Sequence, residues 1–360
     1  MERYDRIRSA MLREGYDALL LSEEQNRFYA TGFHTPGTDG MLLLTRENAY
    51  YFIDDRYTVA AERALHEAAL TVVTPQRGYR LLINDIIRRE KLQILGFDDA
   101  YMTVADYERY KQSLDCELLG CSRLLAALRT VKDAEELRCL THAQRIGEAA
   151  LAEVLDCIRP GVTEREVAAR LQYLMLLHGA ERMSFDPIVV SGDNGAMPHG
   201  VPGEKKIQPG EFVTMDFGCV AEGYCSDMTR TVAVGYVTEE MERVYNTVLR
   251  AQKAGIAATR AGVPAKLPDL AARKIIEDAG YGAYFGHSYG HGVGVEVHEA
   301  PAVSPRSEAP LPAGAVCSAE PGIYLPGRFG VRIEDVVVVT ESGCLDLAEA
   351  PKELLILPAG

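Results

Sequence analysis

The clearest hydrophobic pattern in the chain is a pair of β-type runs, Phe212–Phe217 and 224–234, separated by a short turn containing Gly223. Apolar and β-branched runs bounded by turn residues predict a hairpin. Each arm interrupts its run with one aspartate, Asp216 and Asp227. A turn centred near Ala221 and Glu222 would set these two directly opposite each other, with Cβ atoms about 4.5–5.5 Å apart. Two like charges held that close in a half-buried sheet need a cation between them, or one carboxyl must stay protonated. The alternative is a pair of strand-end aspartates in solvent.

Upstream, residues 1–120 alternate helical and strand periodicity. Helices are predicted over 2–14, 57–68, 78–90 and 103–114. Strands are predicted at 17–21, 70–73 and 92–97, with a hairpin from Gly40–Thr45 and Ala49–Ile53. This alternation gives an α/β N-terminal domain with a mixed sheet, over 1–125. His34 and His66 stand alone there and read as surface or packing residues. Residues 122–133 read as a connector, and a second domain occupies 131–360. Its helices announce themselves by capping boxes, Asp133 with Glu136 and Thr163 with Glu166. The first runs to Ile158 and stops at Arg159-Pro-Gly; the second ends at His178-Gly179. Further helices over 239–260 and 266–279, with strands between and after them, predict an α+β domain. His142 and His178 lie in helices and read as structural.

Length and charge narrow the class. The 360 residues suit two domains, and 47% hydrophobic residues can fill real cores. A net charge of −14 argues against nucleic-acid or anionic-membrane partners. The 8 cysteines include no C-x-x-C pair, so free thiols in a cytoplasmic setting are expected. The N-terminus lacks an apolar signal-peptide segment, and no apolar run reaches membrane-spanning length.

The remaining polar residues need explaining. A Gly/Pro-rich loop at 191–202 presents His199, and such loops often carry function. In Phe285-Gly-His-Ser-Tyr-Gly-His-Gly-Val-Gly, His287 and His291 have H-x-x-x-H spacing, but no glutamate follows the first histidine and the glycines oppose a helix. Gly286-His-Ser-Tyr-Gly290 matches G-x-S-x-G, but glycines replace the required helix. A third reading is a Gly-rich loop presenting His291, followed by a strand over 295–299 presenting His298. Glu320 precedes a Pro-Gly bend. Glu334 sits beside a strongly apolar run, where a carboxylate is seldom buried unless paired or coordinated; a surface pair with Arg332 is the alternative. Asp216, Asp227, Glu320, Glu334 and His291 together make a mostly hard ligand set, suited to one or two Mn²⁺, Co²⁺, Fe²⁺ or Zn²⁺ ions. Four carboxylates overcharge one ion but suit two ions sharing a bridging hydroxide.

These residues resemble the pita-bread metallopeptidases, in the aminopeptidase P/prolidase branch. The resemblance rests on Met215-Asp-Phe-Gly, Ser226-Asp-Met-Thr-Arg-Thr, Gly290-His-Gly-Val-Gly, Val297-His-Glu, Glu320-Pro-Gly-Ile-Tyr and Arg332-Ile-Glu-Asp, and covers essentially the whole chain. It implies a creatinase/prolidase-like N-terminal domain, with Arg129-Thr-Val-Lys-Asp opening a pita-bread catalytic domain. It implies that Asp216 chelates one metal, that His291 and Glu320 hold the other, and that Asp227 and Glu334 bridge both. Glu320 would also move the proton of the bridging water. His199 and His298 would bind the substrate carbonyl or the tetrahedral intermediate, with His287 and Arg332 as further substrate-binding residues. Tyr289 stands where many relatives carry threonine. The implied activity is an Xaa-Pro aminopeptidase with two divalent ions, Mn²⁺ first among them. A prolidase acting on Xaa-Pro dipeptides is the alternative, and a catalytically silent binding module on the same fold is a further one. The resemblance also implies a homodimer.

Overall fold

The computed structural model describes residues 3–37, 39–66, 68, 70–75 and 78–359. Two compact units divide the chain, Met1–Arg129 and Thr130–Gly360. The first contains α1 (Arg3–Arg13), β1 (Ala18–Leu21), α2 (Glu24–Thr31), β2 (Gly40–Thr45), β3 (Ala49–Ile53), α3 (Thr58–Ala64), β4 (Thr71–Val73), α4 (Tyr79–Glu90), β5 (Ile94–Phe97), α5 (Val104–Ser113) and β6 (Glu117–Gly120), and α6 (Ser122–Thr130) follows. Its sheet has the order β4-β3-β2-β1-β5-β6 and is mixed: β1–β2 and β2–β3 are antiparallel, the other pairs parallel.

Three elements of this unit depart from the sequence reading. The segment expected as a connector is largely α6, whose Leu124, Leu125 and Leu128 pack on the N-terminal core. Helix α2 was hidden by its polar sequence. Asn26 and Arg27 are nevertheless buried, because Asn26 donates to Asp98 at 2.9 Å and Arg27 donates to the carbonyls of Ser22, Thr35 and Gly37. Buried polar groups of this kind persist only when hydrogen-bonded. The edge strand β6 carries no buried side chain and so lacks the apolar signature of a strand.

The second unit begins with α7 (Ala134–Val154) and α8 (Glu164–Leu177), both opened by the expected capping boxes. Then come β7 (Arg182–Met183), β8 (Ile188–Ser191), β9 (Phe212–Phe217), β10 (Cys219–Ala221), β11 (Tyr224–Cys225) and β12 (Met228–Val234). After α9 (Glu239–Ala258) and α10 (Lys266–Asp278) follow β13 (Gly290–Gly292), β14 (Glu299–Val303), β15 (Val316–Ala319), β16 (Gly322–Leu325), β17 (Phe329–Arg332), β18 (Asp335–Val339), β19 (Cys344–Asp346) and β20 (Ile356–Leu357). The two larger sheets have orders β20-β12-β9-β8 and β14-β13-β15-β18-β19.

Each helix pair covers one of these sheets. Ala143, Ile146 and Leu171 of α7 and α8 share a core with Val213, Met215 and Phe217 of β9 and Val232 and Val234 of β12. Val244, Val248, Ala272 and Ile276 of α9 and α10 share another with Cys317, Ala319, Val337 and Val339. Strand side chains alternate between faces. With 213, 215 and 217 on the core side, Asp216 takes the other face of β9, together with Thr214. With 317, 319, 331 and 333 in the core, Ser318, Glu320, Arg332 and Glu334 fall on the opposite parity. A one-residue slip of β9 would exchange Val213, Met215 and Phe217 for Thr214 and Asp216 on the core side, at about 1.5–3 kcal/mol for each apolar side chain lost, so its register is strongly specified.

Candidate metal centre

The hairpin forms, but one residue out from the expected centre. Ala221 pairs with Tyr224, so the turn is Glu222-Gly223, with φ of 51° and 75°. Positive φ at both central residues is the tight hairpin turn whose twist matches the strands, and glycine adopts it freely. Asp216 therefore pairs with Thr229, not with Asp227. Asp227 lies two residues before Thr229, in the break between β11 and β12, and so keeps the same face as a diagonal neighbour.

Other expected placements shift in the same way. His291 is not on a loop but on the short strand β13, squeezed between β14 and β15. A Cβ at Gly290 would lie 2.1 Å from the Ser318 carbonyl oxygen, and one at Gly292 would lie 2.2 Å from that of Ala300. The glycines are there for close backbone approach, not for a flexible loop. The expected strand over 295–299 is a bend, and β14 starts only at Glu299, so His298 stands just before a strand. Glu320 follows β15 directly, and Glu334 joins β17 to β18.

These elements bring the five candidate ligands to one cavity of about 620 Å³. Ligand atoms of Asp227, His291 and Glu334 lie within 4.8 Å of one another. His291 Nε2 is 3.2 Å from Glu320 Oε1 and 3.6 Å from Asp227 Oδ2. Asp216 lines the same cavity, with one oxygen buried and unpartnered and the other accepting from Arg332 at 2.6 Å. His199, His287, His298 and Arg332 line it as well. His199 sits in an exposed turn. The His298 ring centroid is 4.2 Å from that of His291.

Arg332 and Glu334 are both buried, so the surface pair considered from the sequence does not form. Arg332 is engaged on all sides: it donates to Asp216, to Thr229 Oγ1 at 3.1 Å, to Tyr324 Oη at 2.9 Å and to the Pro198 carbonyl at 3.2 Å. Thr229 Oγ1 in turn donates to Glu334 Oε2 at 2.7 Å, and His287 Nε2 is 2.8 Å from Tyr324 Oη. The sequence reading does not include Thr229 or Tyr324 among the site residues. Thr229 was findable as the residue two places beyond Asp227 on one strand face. Tyr324 had no such signal, because its contact with His287 comes from distant chain. Tyr289 turns away from the cavity: its hydroxyl donates to the Gln252 carbonyl at 2.9 Å and its ring fills the space left by Gly255.

The electrostatics are those of a cation site. Burial, then the Asp216 charge, pushes Asp227 well above the usual carboxylate range; burial, then Asp227, does the same to Glu334. Burial also raises Asp216, against the pull of Arg332. Burial pushes His291 down, but its hydrogen bond to Glu320 and the Asp227 charge outweigh this and hold it at about 9. Glu320 is drawn down by His291 in spite of burial. Protons thus compete for a place where hard oxygen donors and one imidazole converge, which is the donor chemistry of a divalent-ion centre. The unpartnered Asp216 oxygen fits the same group.

Among the described residues, no helix is long and apolar enough to cross a membrane. Residues 3–131 match the Creatinase/Prolidase N-terminal domain, and residues 138–341 match Metallopeptidase family M24. The chain is 41% identical to the Xaa-Pro dipeptidase from Bacillus anthracis, with a TM-score of 0.93 over 99% of each chain. It is 36% identical to the X-Pro aminopeptidase from Thermotoga maritima, with a TM-score of 0.91 over 99% of this chain and 100% of that one. The Xaa-Pro dipeptidase of Pyrococcus horikoshii is 35% identical over 98% of this chain and 99% of that protein. The chain therefore belongs to metallopeptidase family M24, as an enzyme that joins a creatinase/prolidase-type N-terminal domain to the catalytic fold.

Proposed function

We propose that this enzyme is an Xaa-Pro dipeptidase, cleaving the bond between an N-terminal residue and a C-terminal proline. The observation that carries the reading is the convergence of Asp227, His291 and Glu334 on one cavity, in a chain similar over nearly its whole length to proteins named Xaa-Pro dipeptidase. The sequence alone narrowly favours aminopeptidase P, although its metal motif does not separate the two. The weight of the relatives' names moves the choice to the dipeptidase. Xaa-Pro aminopeptidase is the second reading, favoured by the likeness to the Thermotoga maritima protein.

In this reading Asp216, Asp227, His291, Glu320 and Glu334 hold two divalent ions, with Mn²⁺ the first to test. Bound there, the ions would supply Lewis acidity and an activated water. Asp227 and Glu334 would be held in common by the ions, and Thr229 donates to the Glu334 carboxylate at 2.7 Å. Glu320, on the wall of the same cavity, would take up the proton released as water attacks the peptide carbon. His199 and His298, on the cavity wall, bind the peptide oxygen as charge develops on it. His287 and Arg332 complete the substrate-facing surface.

The test is hydrolysis of Xaa-Pro against Xaa-Pro-Yaa, by protein stripped with a chelator and reloaded with Mn²⁺. Preference for the dipeptide supports the first reading. Equal or better cleavage of the tripeptide replaces it with the second.

A further inference from the structure

The segment that carries His287 is held from behind by α10. Among the described residues, no main-chain to main-chain hydrogen bond holds Gly286, His287 or Ser288. Two side chains of α10, one turn apart, supply the missing anchors. Arg273 donates to the Phe285 carbonyl at 2.8 Å and to the His287 carbonyl at 2.9 Å. Its guanidinium lies 4.2 Å from the Phe285 ring centroid. Asp269, with no exposed surface, accepts from the Tyr289 amide at 2.9 Å. The two side chains grip each other through a double contact, Arg273 Nε to Asp269 Oδ2 at 2.9 Å and Nη2 to Oδ1 at 3.1 Å. One planar fork thus fixes the carbonyls on either side of Gly286, while its partner fixes the amide leading into β13.

We propose that Asp269 and Arg273 are positioning residues that set His287 at the cavity wall. Phe285 and Tyr289 bracket His287 two residues to either side, and both are pinned to α10. His287 then meets Tyr324 Oη through Nε2 at 2.8 Å, with Nδ1 2.9 Å from the Ser288 carbonyl oxygen. A planar five-donor guanidinium can satisfy a carboxylate and two carbonyls at once, and an ammonium cannot reproduce that fan. The assay rests on the Xaa-Pro reading, but the inference itself rests on the contacts of α10.

The experiment is a double-mutant cycle on the full chain, loaded with Mn²⁺ and assayed on an Xaa-Pro dipeptide. Arg273→Met keeps the apolar stem against Phe285 and removes the fork. It is expected to lower kcat/KM by about 10- to 100-fold, mainly through KM, at unchanged metal content. In a His287→Ala background the same substitution is expected to change KM less than about twofold, because its route is already cut. A factor equal in both backgrounds overturns the proposal, as does an unchanged KM in folded Arg273→Met. Should that variant fail to fold, Arg273→Lys, which keeps the charge beside Asp269, is put through the same cycle with the same two outcomes. Wild-type protein inactive on every Xaa-Pro peptide would instead remove the functional reading, and the cycle would then be read from the His287 ring resonances, which Arg273→Lys must shift for the proposal to stand.

Discussion

Arg332 Nη2 donates to Asp216 Oδ2 at 2.6 Å, while Asp216 Oδ1 lies buried without a hydrogen-bond partner. The arginine orients one oxygen and leaves the other for a cation. Partners of this sort typically carry 10- to 100-fold in metal affinity or activity. Arg332→Lys should therefore weaken metal binding by about 10- to 100-fold, because an ammonium cannot reach Asp216, Thr229, Tyr324 and the Pro198 carbonyl together. Calorimetric titration of stripped protein with Mn²⁺ measures this. Wild-type affinity in the variant would show that Arg332 does not set the ligand.

In the buried site Asp216 and Glu320 crowd the charge of Asp227, and Asp227 crowds that of Glu334. Removing one charge should weaken function yet relieve the metal-free protein. Asp227→Asn and Glu334→Gln are each expected to abolish most activity and lower metal content. In stripped protein each should raise Tm by a few degrees, since about 1 kcal/mol corresponds to roughly 2–4 °C at this domain size. Scanning calorimetry in chelator decides, and a lower Tm for both variants would contradict the crowding.

The same charges fix how stripped protein responds to pH. Asp216, Asp227 and Glu334 have raised folded-state values, and His291 is raised to about 9. For each, the folded state holds more protons than the unfolded chain, so stability falls as pH rises. The carboxyl contribution is full below about 4, the ordinary carboxylate value, and fades above it; the imidazole contribution is full below about 6.5 and is lost through about 9. Glu320, lowered, acts in the opposite sense but only below its ordinary range. Stripped protein should thus lose denaturant resistance between about pH 6 and pH 9, and saturating Mn²⁺ should flatten that slope. Parallel slopes with and without metal would refute it.

Much of this centre was legible because ligand type and strand alternation travel together. Asp216, Glu320 and Glu334 each break an apolar pattern whose odd positions fill a core, and sequence displays that directly. Turn geometry was less legible. Placing the hairpin centre one residue early made Asp216 and Asp227 face each other, whereas the positive φ of Glu222 moves the pairing to Thr229. Glycines misled in β13, since a residue chosen for close packing looks the same in sequence as one chosen for a loop. Contacts between distant segments, such as His287 with Tyr324 and Arg332 with Asp216, leave no local pattern at all.

In the proposed function His199 and His298 handle the substrate rather than the ions. Both line the cavity, yet neither is among the residues whose ligand atoms converge. His298 lies against His291, and burial followed by the His291 charge lowers its pKa, so near neutral pH it is an uncharged ring that can donate one hydrogen bond without repelling a nearby cation. His199 reaches the cavity from an exposed turn. His199→Ala and His298→Ala should each keep the wild-type metal content and Tm shift on metal loading. Each should lower kcat/KM by roughly 10²–10⁴, the range for a positioned acid–base or oxyanion-stabilising group. Metal analysis beside steady-state kinetics reads both quantities on one preparation. A folded variant that lost its metals would move that histidine into the ligand set, and one with unchanged kinetics would leave it a bystander on the cavity wall.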